Sequence, residues 1–304
     1  MKRQLTYILL ITAVSIAGCG PLTPLRQQIR VTHTALAPLD PDREPDALTY
    51  EQLTADLGSF SRPQQRYRIG VVIKFLGNPY WQHYAEGVHE RAEALGASTD
   101  IRAAATETDP EGQRRIMEVM MEEDYDAFVV APQTDENLSA LVAELQQEHT
   151  PVLIVNEVVG IAQHWVGPSQ YRSGALAADY LRDNLRAGDE IAVIQGLPEA
   201  YAARRRTLGF RETLAGSGLQ IVATTPCDWD AQLALSAAAR ALAQHPDLRA
   251  IYCNNDVMAM GVLEAVEDAG RSGDVLVVGT DGIPPAKEAI RTGAMAATVD
   301  SNPQ

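Results

Sequence analysis

From Ile69 onward the chain alternates between short apolar runs and longer stretches whose apolar positions recur every three or four residues. The runs at 69–75, 99–104, 126–131, 151–155 and 163–166 have the length and β-branched content of strands. Helical spacing fills 80–95, 111–123 and 136–148 between them. A second series begins with a helix at 172–186 and continues with strands at 190–195, 219–224, 249–253, 274–278 and 295–299. Helices at 202–215, 230–244, 256–269 and 285–292 separate those strands. Such alternation predicts parallel sheets covered by helices on both faces. Two series predict an α/β protein of two doubly wound lobes, 68–167 and 168–304, with Gly167-Pro168-Ser169 as the crossover.

The stretch Ile69–Gly96 anchors this pattern. Its first seven residues suit a strand buried on both faces. Gly77-Asn78-Pro79 breaks the strand, and Pro79 is suited to the first turn of a helix. Asn78, Tyr80 and Trp81 then stand at the carboxyl end of the first strand, where open α/β sheets bind ligands. In isolation the plainer reading is that Tyr80 and Trp81 pack the strand–helix joint.

The first residues are expected to be a targeting segment. Lys2 and Arg3 form a charged start, and Leu5–Ala17 an apolar run too short to span a bilayer comfortably. Ile16-Ala17-Gly18-Cys19 resembles the bacterial lipoprotein signal box, which implies cleavage of 1–18 and lipid on Cys19. Residues 19–67 carry repeated prolines and read as a tether, with Thr49 and Gln52 as a capping box for a short helix at 49–60. A formal net charge of −15 and the lack of any basic patch argue against nucleic acid. Cys227 and Cys253 are the other two thiols. In the common 2-1-3-4-5 strand order they fall two strands apart, about 10 Å, beyond disulfide reach. With no Cys-x-x-Cys pair, no metal or other cofactor is expected. His83, Glu86, His89 and Glu90 share one helix and read as a solvated face.

Six loops share one end of the two predicted sheets: Gly77–Trp81, Asn156-Glu157, Ala203–Arg206, Cys227–Trp229, Asn254–Asp256 and Gly279–Gly282. With Asn254-Asn255-Asp256-x-Met258-Ala259-x-Gly261 and Val277-Val278-Gly279-x-Asp281-Gly282, the chain from about Arg68 to Pro303 resembles the periplasmic sugar-binding proteins of the ribose-binding type. The resemblance implies a hinged two-lobed clamp with the ligand in the cleft between the lobes. Carried over by position, it implies Asn78, Tyr80, Trp81, Asn156, Glu157, Arg204, Trp229, Asn255, Asp281 and Ser301 as ligand-binding residues. Asp256 is expected to cap a helix, and Arg205 and Arg206 to be solvated. A sugar offers flat C–H faces for Trp81 and Trp229 and a rim of hydroxyls for Asn, Asp and Arg.

Two departures qualify the resemblance. Asn156-Glu157 replaces an Asp-Arg pair, which argues against a pentose such as ribose and admits a cationic amine held by Glu157 and the tryptophan faces. Family members also continue past the position of Pro303 with a helix and strand that complete the first lobe, so the expectation is either a fragment or a first lobe with an uncovered edge and apolar face. No nucleophile is paired with a base, and no Gly-x-Ser-x-Gly elbow or phosphate loop occurs. The expected function is therefore not enzymatic. It is an exported, lipid-anchored, monomeric solute-binding protein for a sugar or related polar solute, serving an ABC permease. Presentation of the ligand to a sensor histidine kinase is the alternative.

Overall fold

The computed structural model describes residues 49–58, 63–157 and 163–301. In chain order the elements begin with α1 (Tyr50–Leu57), β1 (Arg68–Phe75), α2 (Pro79–Leu95), β2 (Ser98–Ala104), α3 (Pro110–Met121), β3 (Ala127–Val130), α4 (Ser139–Gln147), β4 (Val152–Val155) and β5 (Trp165–Val166). The second series is α5 (Gln170–Asn184), β6 (Glu190–Gln195), α6 (Tyr201–Leu214), β7 (Gln220–Pro226), α7 (Ala231–Gln244), β8 (Leu248–Cys253), α8 (Asp256–Asp268), β9 (Leu276–Asp281), α9 (Pro284–Thr292) and β10 (Ala297–Asp300). The strands form two sheets, ordered β2-β1-β3-β4-β5 and β10-β9-β8-β6-β7. Every pairing is parallel. The expected two-lobed α/β architecture is the one found.

β1 is buried on both faces because each face meets different helices. Val72 joins Phe128, Val130, Met117 and Leu145 under α3 and α4, while Val71 and Ile73 join Tyr80, Trp81 and Ala85 under α2. In the second sheet α5 and α6 cover one face through Ala177, Leu181 and Phe210, with Phe210 stacked on Tyr252 at 4.3 Å. α5 and α6 lie very close, since a methyl group on Gly174 would collide with the Arg206 carbonyl. The opposite face carries α7 and α8, and its apolar cluster continues through Trp229 and Ala202 to Trp81 of the other lobe. The two lobes therefore meet along the ends of their sheets.

Smaller expectations fare variously. Thr49 and Gln52 do form the reciprocal capping box, at 2.8 and 3.2 Å, on the short helix α1. Cys227 follows β7 and Cys253 ends β8, with β6 between them, and both are free and buried. Among the described residues no group of histidines, cysteines and carboxylates is arranged to hold a metal. The targeting segment, Cys19 and most of the tether lie outside the described residues.

Candidate functional site

The carboxyl ends of the two sheets face each other across a cavity of about 290 Å³. Room for water-sized spheres inside it is only about 20 Å³, so the two walls stand close together. Its walls bring together Asn78, Tyr80, Trp81, Asn156, Glu157, Trp229, Asn255 and Asp281, all expected from the sequence. Lys74, Glu107, Ala202 and Arg206 complete them.

The first lobe builds its wall from the end of β1. Asn78 caps α2, its Oδ1 accepting from the Tyr80 amide at 3.0 Å, and Pro79 fills the first helical turn. This pins Tyr80 and Trp81 into the cleft, edge to face with ring centroids 4.9 Å apart. Burial raises the Tyr80 pKa, so the phenol stays neutral. Glu107, on the loop after β2, accepts from Trp81 Nε1 at 3.0 Å and from Asn78 Nδ2 at 3.2 Å. Burial pushes its carboxyl pKa up, and Lys74 pulls the other way.

Lys74 is a buried cation following the apolar run Ile69–Ile73 of β1, and its Nζ donates to Glu157 Oε1 at 2.5 Å. The same ammonium lies 5.8 Å from the Trp81 ring centroid and 5.9 Å from that of Trp229. Glu157 Oε2 crosses to the other lobe and accepts from the Ala202 amide at 3.0 Å. Ala202 is in the first turn of α6, whose own cap residue Ala200 offers no side-chain acceptor. The carboxylate thus caps this helix from across the cleft, satisfying a free N–H and the helix dipole. Glu157 is consequently committed, and with Lys74 already set near both tryptophans, the expected place for a cationic amine is taken.

The second lobe centres on a buried guanidinium. Arg206 donates from Nε to Gln170 Oε1 at 2.7 Å and from Nη1 to the Asn254 carbonyl at 2.5 Å and to Asp281 Oδ1 at 3.1 Å. Burial raises Asp281 to a pKa of about 7, while Arg206 holds it lower than burial alone would. Asn255 caps α8 through Met258 and also faces the cavity. Trp229 turns in because its neighbour Gly196 has no side chain to block the ring. Asn156, Trp229 and Asp281 all have left-handed backbone, with φ of 66°, 66° and 124°. Non-glycine residues in this region are strained and concentrate at binding sites.

Four residues stand elsewhere than expected. Arg204 does not line the cavity; it is half-exposed and pairs with Asp135 at the edge of the lobes. Two residues along a helix turn the side chain by about 200°, so Arg206 faces inward with Ala202 and Phe210, one helical turn to either side. Arg206, read as solvated, is buried. Asp256 is not a cap either: its carboxylate accepts from the Gly282 and Ile283 amides and from Thr298, tying down the loop that carries Asp281. Ser301 is not among the lining residues; its amide bonds to the Asp281 carbonyl and its hydroxyl is buried without a partner. Lys74 was legible as the one charge within the apolar run Ile69–Phe75, a placement that charges take only when paired. Glu107 carries no comparable pattern.

This cleft between two parallel-sheet lobes coincides with a family match over residues 69–304, to the periplasmic binding protein domain. The chain belongs to the periplasmic binding protein family. The D-allose-binding periplasmic protein of Escherichia coli K12 is 36% identical over 244 residues, covering 77% of this chain and 78% of that protein. The ribose import binding protein RbsB of Bacillus subtilis is 29% identical, covering 81% and 80%. Among solved structures, an ABC transporter periplasmic solute-binding protein from Actinobacillus succinogenes with bound D-allose superposes with a TM-score of 0.73 at 26% identity. It covers 78% of this chain and 86% of that one.

Proposed function

We propose that this family member is an exported binding protein that captures one sugar between its lobes and hands it to an ABC importer. The observation that carries the reading is the pairing of Trp81 and Trp229, from opposite lobes, around a small cavity whose remaining walls are polar groups with fixed orientations. Aromatic faces match the C–H faces of a pyranose or furanose, and oriented amides and carboxylates match its hydroxyls. The named relatives that bind allose and ribose support the sugar class and the transport role. They do not favour the sensor alternative. Lipid attachment at Cys19 and a monomeric state belong to the same proposal. Loss of detergent partitioning in Cys19→Ser supports the anchor, and unchanged partitioning removes it.

Binding is tested by calorimetry and thermal shift with D-allose, D-ribose, D-fucose, D-fructose and L-arabinose. A sugar at 100 times its dissociation constant stabilises the folded state by about 2.7 kcal/mol, a readily measured shift. A cooperative melt that none of these sugars moves refutes the sugar reading, and turnover of a bound sugar refutes the binding-only role.

A further inference from the structure

We propose that Glu107 sets the ligand class of the cleft: its carboxylate accepts a hydroxyl of a neutral sugar and excludes sugars that carry their own carboxylate or phosphate. This assignment rests on the sugar reading above and goes further by naming the residue and the charge state.

The charges around the cavity are the starting point. Five ionisable side chains of opposite sign line it: Lys74 and Arg206, and Glu107, Glu157 and Asp281. Lys74 is paired with Glu157, and Arg206 with Asp281. Among the described residues no cation forms an ion pair with Glu107. Its contacts are neutral donors, the Trp81 indole N–H and the Asn78 amide. Both point at the carboxylate, so towards the protein it is purely an acceptor. A carboxylate offers about four lone-pair sites, and these bonds leave capacity on the side that faces the cavity.

A ligand group beside Glu107 must therefore donate. A second anion there would meet a carboxylate that has no direct ion pair and feels Lys74 only at longer range, in a site largely shielded from water. A cationic ligand is disfavoured from the other side, because it would face the Lys74 ammonium, 5.8 and 5.9 Å from the two tryptophan ring centroids. A neutral hydroxyl satisfies both constraints. The same contacts give Glu107 a positioning role. Asn78 is held at both ends of its amide, by Tyr80 and by Glu107, so it cannot flip, and the indole of Trp81 is held by its N–H.

The test is calorimetry on the whole mature protein and on Glu107→Gln, with D-allose, D-ribose, the monodeoxy derivatives of whichever binds, and D-glucuronate. The expected result has three parts. Wild type binds a neutral sugar and shows no heat with D-glucuronate. E107Q binds the parent sugar at least about tenfold more weakly. For one monodeoxy sugar wild type and E107Q bind alike, because the hydroxyl that Glu107 accepts is already gone. Equal affinity of E107Q for the parent sugar overturns the assignment, as does tight binding of D-glucuronate by wild type. A uniform loss across every deoxy sugar also overturns it, leaving Glu107 only to orient Asn78 and Trp81. Where E107Q does not melt cooperatively, Glu107→Asp and the wild-type uronate arm carry the same decision. If wild type binds none of the five sugars named above, the sugar reading itself fails and this assignment falls with it; binding by wild type with failure only in the E107Q arms isolates the fault to Glu107.

Discussion

Replacing Arg206 by Met removes one buried cation and leaves three acceptors behind. The guanidinium is 3% exposed and serves Gln170 Oε1, the Asn254 carbonyl and Asp281 Oδ1. Removing one partner of a buried ion pair costs about 3–5 kcal/mol, because the other charge is stranded. The two neutral acceptors add to this, but less than additively, since water entering the gap serves all three groups. The expected loss is about 4 kcal/mol at pH 7.5. Asp281 is already poised to take a proton near pH 7, so at pH 5.5 it neutralises and the loss shrinks. Arg206→Met/Asp281→Asn should recover part of the loss at pH 7.5 for the same reason. Arg204→Met is the control: its partner Asp135 is a partly exposed carboxylate, and such pairs contribute at most about 1 kcal/mol. Urea unfolding followed by far-ultraviolet circular dichroism, at both pH values, measures all four proteins. An R206M protein within 1 kcal/mol of wild type, or an R204M protein that loses as much as R206M, would refute the assignment of Arg206 as the structural centre of the second wall.

Three further outcomes follow from the same contacts. Burial raises Asp256 to about 6 and Asp281 to about 7 from an ordinary 3.8. The folded state therefore binds more protons than the unfolded state between those values, and this contribution, fully present below about pH 4, is lost as pH rises through 6 to 7. The ligand-free melting temperature should rise on going from pH 7.5 to 5.5, with a flatter profile in D281N; a wild-type profile that falls over that range contradicts the burial. Arg204 and Asp135 join the two lobes, so Arg204→Glu should lower sugar affinity about fivefold by depopulating the closed state, and adding Asp135→Arg should restore it. Failure of the double reversal to rescue would show that the pair does not couple the lobes. Burial pushes the Cys227 thiol up to about 11 and Cys253 higher than usual; in a Cys19→Ser protein a thiol reagent should therefore find two groups in urea and react only slowly in the folded state, and two fast thiols under native conditions would contradict that burial.

The elements were largely legible because each of the two faces of β1 and β6 needs an apolar row, and the intervening amphipathic helices supply the covering. Ser169 at the crossover caps α5, its hydroxyl accepting from the Arg172 amide. The cleft was legible wherever a residue stands next to a strand end or a motif glycine, as Asn78, Asn156, Trp229 and Asp281 do. Arg204 was preferred to Arg206 because a motif match ignores helical phase, whereas Phe210 four residues on would have pointed to Arg206. Glu107 had no such handle: its role depends on the β2–α3 loop reaching the start of α2, a contact between segments far apart in sequence. Glu157 lines the cavity, but its partner Lys74 lies 83 residues away, so its charge read as available when it is already engaged within the fold.

The left-handed backbone at Asn156, Trp229 and Asp281 bears on how this cleft can diverge. Each of these residues sits where an ordinary side chain costs on the order of 1–3 kcal/mol, and Asn and Asp are among the few that tolerate it. A β-branched or bulky aliphatic replacement at 156 or 281 would weaken the lobe before any new ligand could be tested against it. Glu107, Lys74 and Asn255 carry no such restriction on backbone conformation. Heritable shifts in ligand preference are therefore channelled towards Glu107 and its neighbours on the less constrained wall, while the strained positions persist as a fixed frame against which new specificities arise.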